Sequence, residues 1–383
     1  MKFLFFFSAN CDTVKSTILS MWGESFLLYL RRVVWKDWIM RVSVRKISEA
    51  TGFSPATVSN ALNRKKGVNK ETAEKILRAA SEMGYRMDEK IRKIRFVIFR
   101  KNGLIIDDSP FHPAVIEGVE RQAKAMGLET VFNHVDVHDL EYGSQIQEIL
   151  SDTESAVVLL GTEMLEEDFK EFQSAENRIV LLDGWSDQYF FDSVLISNTD
   201  SAAKAVEYLI QKGHSKIGYL RGDFRIQAFR YREIGYKRMM ERYGLKINEE
   251  YIATVGTKIE TAYEEMKKYL QQVKELPTAF FADNDTIAIG AMRAIKEQGY
   301  DIPGDISIIG FDNISYGAIS EPPLTTINVH KHEMGEMAVR ELVRVAEGGS
   351  RIKMKIQVCT DFVERDSVKE LSPSSMRGRE ELR

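Results

Sequence analysis

Between Val44 and Met83 apolar residues recur at helical spacing in three short bursts, each bounded by turn residues. Val44, Ile47 and Ala50 form the first, and Gly52-Phe53 ends it. Ser54 is suited to cap the next helix, because its hydroxyl can accept from the free amides of a first turn. Pro55 follows at the position where a missing N–H costs nothing. The helix predicted over 55–63 turns Val58, Ala61 and Leu62 inward and leaves Pro55, Ala56, Thr57, Ser59, Asn60 and Asn63 outward. After a polar loop, Asn69 caps a third helix over 70–83, with Ala73, Ile76, Leu77 and Ala80 on one face and Gly84 as its stop. Two short helices joined by a glycine turn, with a third across them, make a helix-turn-helix; the alternative is a purely structural three-helix bundle.

From Ile94 the pattern changes to buried strands alternating with amphipathic helices. Strands are predicted at 95–99, 130–133, 156–160, 179–182 and 194–197, then at 217–220, 253–255, 279–282 and 307–311, with helices between most of them. Such alternation gives parallel sheets covered on both faces. The chain therefore reads as α/β: a helix-turn-helix headpiece over 40–86, a short linker over 87–93, and a body over 94–366 built of two doubly wound lobes. Lobe 1 is expected from about 94–197 plus 329–349, and lobe 2 from about 198–328 plus 350–366. The polar stretch 367–383 is expected to be a disordered tail.

Charge separates the two readings of the headpiece. Residues 41–95 hold 14 Lys/Arg against 6 Asp/Glu, whereas the whole chain carries a net −4, so residues 96–383 are strongly acidic. A basic module on an acidic body is the electrostatic footprint of DNA binding confined to one end. Two cysteines among 383 residues, Cys11 and Cys359, supply neither a disulfide framework nor a metal cluster, which fits a reducing cytoplasm. No metal, cofactor or membrane partner is expected. Residues 1–39 begin with Lys2 and the run Phe3–Phe7, then become too charged to span a membrane. They read as an extension from an upstream start codon, with a membrane anchor as the alternative.

The segment Ile47-Ser48-Glu49-Ala50-Thr51-Gly52-Phe53-Ser54, followed by Thr57-Val58-Ser59, Asn63, Val68, Thr72 and Gly84-Tyr85, resembles the headpiece of the lac repressor (LacI/GalR) family. The body is similar to that family's two-lobed, periplasmic-binding-protein-like body over 94–365, notably at Gly213-His214-Ser215-Lys216-Ile217 and Pro322-Pro323-Leu324-Thr325-Thr326-Ile327. The resemblance implies a homodimeric repressor that sets its second helix in a major groove of operator DNA and responds to a small effector, a sugar above all, in the inter-lobe cleft. DNA contacts are expected from Ser54, Pro55, Ala56, Thr57, Ser59, Asn60, Asn63, Lys65 and Thr72. Pro55, Ala56 and Asn60 match the positions that vary specificity in relatives. One departure stands out. The family's hinge helix, Asn-x-x-Ala-Arg-x-Leu, is absent, and residues 86–93 run almost directly into the first strand.

In open parallel sheets ligands sit beyond the carboxyl ends of the strands. The polar residues just past those ends are Asp183, Asn284, Asp285 and Asp312, and Arg232 lies near the start of the helix after the 217–220 strand. Carboxylates, an amide and a guanidinium converging there suit a polyhydroxylated ligand. Arg232 and Asp312 also match effector-holding positions of the family, whereas Asp285 reads better as a helix cap. Phe111 and Trp185 are the aromatic platforms expected to complete the site, with Phe224 and Tyr316 in comparable loops. No dinucleotide fingerprint, phosphate loop or Ser/His/Asp order is present, so an enzyme is not expected. The rival reading is a periplasmic-type sugar-binding protein of a transport system, which would share the body fold.

Overall fold

The computed structural model describes residues 43–62, 67–83, 91–107, 109–152, 154–346 and 352–371. The expected N-terminal extension, Asn63, Lys65 and most of the linker lie outside these residues.

The headpiece forms because three short helices each bury one stripe. α1 (Val44–Thr51) starts under Ser43, whose Oγ accepts from the Lys46 amide at 3.3 Å, and stops at Gly52, where φ is +73°. α2 spans Pro55–Leu62 and α3 Lys70–Glu82. Asn69 Oδ1 accepts from the Thr72 amide at 2.8 Å and caps α3. Ile47, Val58, Ala61, Leu62, Ile76 and Ala80 close a small core, sealed by Phe53 and Leu77. Burying each Ile, Val or Leu side chain stabilises by roughly 1.5–3 kcal/mol, so Ile47, Val58, Leu62 and Ile76 carry most of this small core.

The body (from residue 89) is a second compact unit. Its elements run β1 (Lys93–Arg100), α4 (Phe111–Ala125), β2 (Glu129–Asp136), α5 (Tyr142–Ser151), β3 (Ser155–Leu160), a 3₁₀ segment (Glu166–Arg178), β4 (Ile179–Leu182), β5 (Asp192–Ile196) and α6 (Asn198–Gln211). They continue with β6 (Ile217–Gly222), α7 (Gln227–Arg242), β7 (Ile252–Val255), α8 (Ile259–Gln272), β8 (Ala279–Ala282), α9 (Asp285–Glu297), β9 (Ser307–Ile309) and α10 (Ser315–Ile319). Last come β10 (Thr326–Asn328), α11 (Lys331–Ala346), β11 (Lys355–Val358) and β12 (Asp361–Val363).

Lobe 1 has the parallel sheet order β11-β5-β4-β3-β1-β2, and lobe 2 has β7-β6-β8-β9. Alternate strand residues feed opposite cores, as a period of two requires. In lobe 1, Phe96, Val158 and Val180 pack beneath α4 and α11, while Val97, Leu159 and Leu181 face the 3₁₀ segment. In lobe 2, Tyr219 and Phe281 join the first of these clusters, and Leu220, Phe280 and Ala282 pack against α8 and α9.

Three differences from the sequence-based expectation lie at the ends of the body. β11 belongs to lobe 1, not lobe 2: it pairs in parallel with β5, Lys355 opposite Ser193 through Val358 opposite Ile196. The physical reason is that β5 would otherwise be an open edge strand with unpaired backbone groups. The chain then crosses to β12, which pairs antiparallel with β10. The start of the presumed tail is packed: Ser367 is fully buried and donates to Ile308 O at 2.6 Å, and the Leu371 amide donates to Lys212 O at 2.8 Å. Residues 372–383 lie outside the description. Finally, Lys93 is the first residue of β1 and not of the linker.

Candidate functional site

On the headpiece, Pro55 and Ala56 are exposed and Thr57, Ser59 and Asn60 half-exposed, on the side of α2 away from the small core. Ser54 holds the helix start: its Oγ accepts from the Thr57 amide at 3.1 Å and lies 2.8 Å from Thr57 Oγ1. The free end of α2 thus offers small side chains over a capped, rigid first turn, a shape that can enter a major groove. Thr72 sits half-buried in the first turn of α3.

In the body the stretches following β1, β7 and β8 line one crevice between the lobes, and Trp185 after β4 meets Tyr231 of α7 across them. Arg232, on the second turn of α7, is 3 % exposed. Its Nε donates to Asn198 Oδ1 at 2.9 Å, Nη1 to Asp283 O at 2.5 Å and Nη2 to Asp312 Oδ1 at 3.2 Å. The guanidinium lies over the Phe311 ring, 3.7 Å from its centroid. Gly235, one turn on, explains how α7 comes so near: a Cβ there would stand 2.3 Å from Thr199 O of α6.

Asp183 ends β4 in the left-handed region, φ +53°, and Asp312 and Asn313 follow β9 at φ +105° and +50°. Non-glycine residues held there cost energy and cluster at functional sites. Asp183 Oδ2 accepts from Thr162 Oγ1 at 2.8 Å, while its Oδ1 is buried without a partner among the described residues. Burial pushes the Asp183 carboxyl up to about 7; Thr162 and Arg232 pull the other way, and the Asp312 charge adds to the rise. Gly184 lets this loop meet the one after β3, since a Cβ would lie 2.7 Å from Gly161 O. Lys331 Nζ donates to the carbonyls of Asp312, Asn313 and Val329 and sits over the Phe111 ring at 5.7 Å. It fixes the strained Asp312-Asn313 pair from below.

The other expected residues divide. Trp185 is buried edge-on against Tyr231 of α7, centroids 4.8 Å apart, so it joins the lobes beside Arg232. Asn284 caps α9, its Oδ1 accepting from the Ile287 amide at 3.0 Å. It also lines a crevice of about 80 Å³ between the lobes, with Leu104 and Pro110 on one side and Thr257 and Tyr316 on the other. Thr257 Oγ1 donates across it to Leu104 O at 3.0 Å. Asp285 is fully buried and accepts from Thr326 Oγ1 at 2.5 Å and the Ile314 amide at 2.9 Å, a structural peg. Phe224 packs against the lobe 2 core.

Two groups escaped sequence reasoning. Glu163 is fully buried after β3. Its Oε2 accepts from the amides of Lys101, Asn102 and Gly103 at 2.9–3.1 Å, and its Oε1 from Ile105 and Ile106 at 2.8 and 3.0 Å. One carboxylate therefore shapes the loop that forms the lobe 1 side of the crevice. Asp283, also fully buried, accepts from Tyr219 Oη, the Gly222 amide and Arg225. It locks the turn leading into α7 and so positions Arg232.

Among the described residues no cluster could hold a metal ion, and no helix is long and apolar enough to cross a membrane. Residues 43–88 match the family described as bacterial regulatory proteins, lacI family, and residues 206–368 match the periplasmic binding protein-like domain. The chain is 28% identical over 330 residues to the HTH-type transcriptional repressor PurR of Pasteurella multocida, covering 85% of this chain and 98% of that one. It is 28% identical over 334 residues to PurR of Vibrio vulnificus, covering 86% and 99%. The fold is similar to that of the transcriptional regulator CelR in complex with cellobiose, with a TM-score of 0.66, 22% identity, and 85% of this chain and 100% of that one covered. The lac repressor dimer bound to operator and the anti-inducer ONPF aligns with a TM-score of 0.64 at 22% identity, covering 86% and 99%.

Proposed function

We infer that this chain, which belongs to the lacI family of bacterial regulatory proteins, is a cytoplasmic transcriptional repressor, not an enzyme, that binds operator DNA as a homodimer. The observation that carries this is α2, capped by Ser54 and presenting Pro55, Ala56 and Asn60 to solvent, in a chain matching nearly the full length of known repressors. In the homodimer two such helices enter successive major grooves about 34 Å apart, so the operator is near-palindromic. Ser54, Thr57 and Ser59 sit beside the reading residues, Asn63 and Thr72 contact DNA on either side, and Lys65 serves phosphate.

The effector is held in the cleft by Arg232, Asp312, Asp183 and Asn284, with Phe111 and Trp185 as apolar walls. Solved relatives of this fold hold cellobiose and ribose, which supports a sugar here. A ligand that bridges Asp183 of one lobe and Arg232 of the other favours one lobe arrangement, and only that difference in affinity can shift the protein between DNA-binding states.

Selection from random oligonucleotides, followed by gel shift with and without sugars, tests both halves. A near-palindromic consensus whose affinity changes with one sugar is expected. A protein that binds a sugar but enriches no DNA sequence would instead be a transport-type binding protein.

A further inference from the structure

The loop after β1 carries a side chain into the other lobe. Residues 101–106 are gathered on the carboxylate of Glu163, and Asp107 closes the turn by accepting from Arg100. At Gly103, φ is +71° and a Cβ would stand 2.2 Å from Asp107 Oδ2, so a larger residue would break that pair. The turn is thereby stiff. Ile105, 8 % exposed, joins the apolar cluster of lobe 2 with Leu220, Val255 and Ile287. Among the described residues it is that cluster's single member from lobe 1. Next to it, Leu104 O accepts from Thr257 Oγ1 at 3.0 Å. Arg100 holds the Asp107 carboxyl below its usual range, and Lys258, across the crevice, adds to the pull.

At this rim the lobes grip each other by an aliphatic side chain, a hydrogen bond and a charge attraction. These differ in what parting costs. The polar groups exchange their partners for water at little net cost. Ile105 cannot, because withdrawing it exposes its own surface and leaves a hole in lobe 2. Stiffness of the loop matters as well, since a slack one would leave Ile105 behind in lobe 2 while the lobes parted.

We propose that Ile105 latches lobe 1 to lobe 2, so that the chain itself supplies part of the free energy of lobe closure before any effector arrives. This rests on the reading above, that the lobe arrangement governs operator binding, and names a residue that sets its resting balance. An effector then shifts that balance only by its differential affinity for the two arrangements.

The test uses the full chain without effector. Trp185, buried against Tyr231 on the β4 side of the lobe junction, reports parting of the lobes at a place other than the latch. Acrylamide quenching of its fluorescence is read with Trp185→Phe as the background from the tryptophans at 22, 35 and 38. Small-angle scattering gives the radius of the particle, and gel shift on an operator enriched from random oligonucleotides gives DNA affinity. Ile105→Ala should raise Trp185 quenching roughly twofold or more, enlarge the radius, and change operator affinity by roughly fivefold or more. Ile105→Val should fall between, and Thr257→Val should act in the same direction but less. A folded Ile105→Ala whose Trp185 quenching and radius match the natural protein overturns the latch, even if it melts lower, because a merely structural contact would do only that. Should Ile105→Ala not fold, Ile105→Val, one methyl smaller, decides by the same two readings. Lobes that part while operator affinity stays constant leave the latch standing and defeat the reading that their arrangement governs DNA binding.

Discussion

Glu163→Gln is a change of one atom with a large expected effect. In the native body three amides converge on Oε2 and two on Oε1 of a fully buried carboxylate. Glutamine keeps one oxygen and replaces the other with an NH₂ group, which donates and cannot accept. The less costly orientation points the NH₂ at Ile105 and Ile106, leaving two buried amides facing a donor. At about 1–3 kcal/mol for each unsatisfied buried donor, the loss is about 2–6 kcal/mol, a large part of a typical domain's 5–15 kcal/mol. Much of it should be local, since the donors belong to one loop. Hydrogen exchange should therefore show the 101–106 amides opening at least tenfold more readily, as 1.4 kcal/mol is a factor of ten, while β6–β9 amides change little. Denaturant melts of the variant should give a lower midpoint for the body. Unchanged protection at Gly103 and Ile105, with a midpoint matching the natural protein, would refute the idea that this carboxylate organises the loop.

Asp183→Asn should reverse part of the body's pH dependence. A carboxyl raised to about 7 in the folded state contributes stability below its usual value near 4 that is lost as pH rises towards 7. The full difference is about 4 kcal/mol. The melting temperature of the variant relative to the natural protein should thus climb from pH 4 to pH 8, and a flat difference would count against a buried, unpaired acid. In the headpiece, Asn60→Ala should alter the preferred base at one symmetric pair of operator positions by roughly 1–3 kcal/mol. An unchanged ranking in a binding-site selection would show that α2 is not the reader.

What was legible in the sequence was what is local or periodic. Ser54, Pro55 and Gly52 announce their caps within a few residues of where they act, and the strand-end rule led to Asp183, Arg232 and Asp312 before any geometry was known. Glu163 was invisible because its partners are backbone amides 57 to 62 positions away, which carry no residue signature. Lys355–Val358 alternates between half-buried and exposed residues and could pair with either lobe on pattern alone. In the fold it pairs with β5 of lobe 1, Lys355 opposite Ser193 through Val358 opposite Ile196. Ser367 read as solvated tail because a single small hydroxyl gives no sign that it will bridge Ile308 O and the Thr325 amide.

The route of the last described residues has a consequence for biosynthesis. β11 completes the lobe 1 sheet beside β5, yet it is translated some 160 residues later, after β6–β10. Residues 361–371 then fasten onto β10, Ile308 and Lys212. While the chain is still on the ribosome, lobe 2 has nearly all of its own strands, but lobe 1 waits with β5 as an uncovered edge, the kind of surface that recruits stray strands. Messages broken shortly before codon 355 would therefore yield a nascent protein with a finished headpiece and an unfinished sensor. Such a product could occupy DNA without answering to a ligand, unless the exposed edge first delivers it to aggregation or proteolysis.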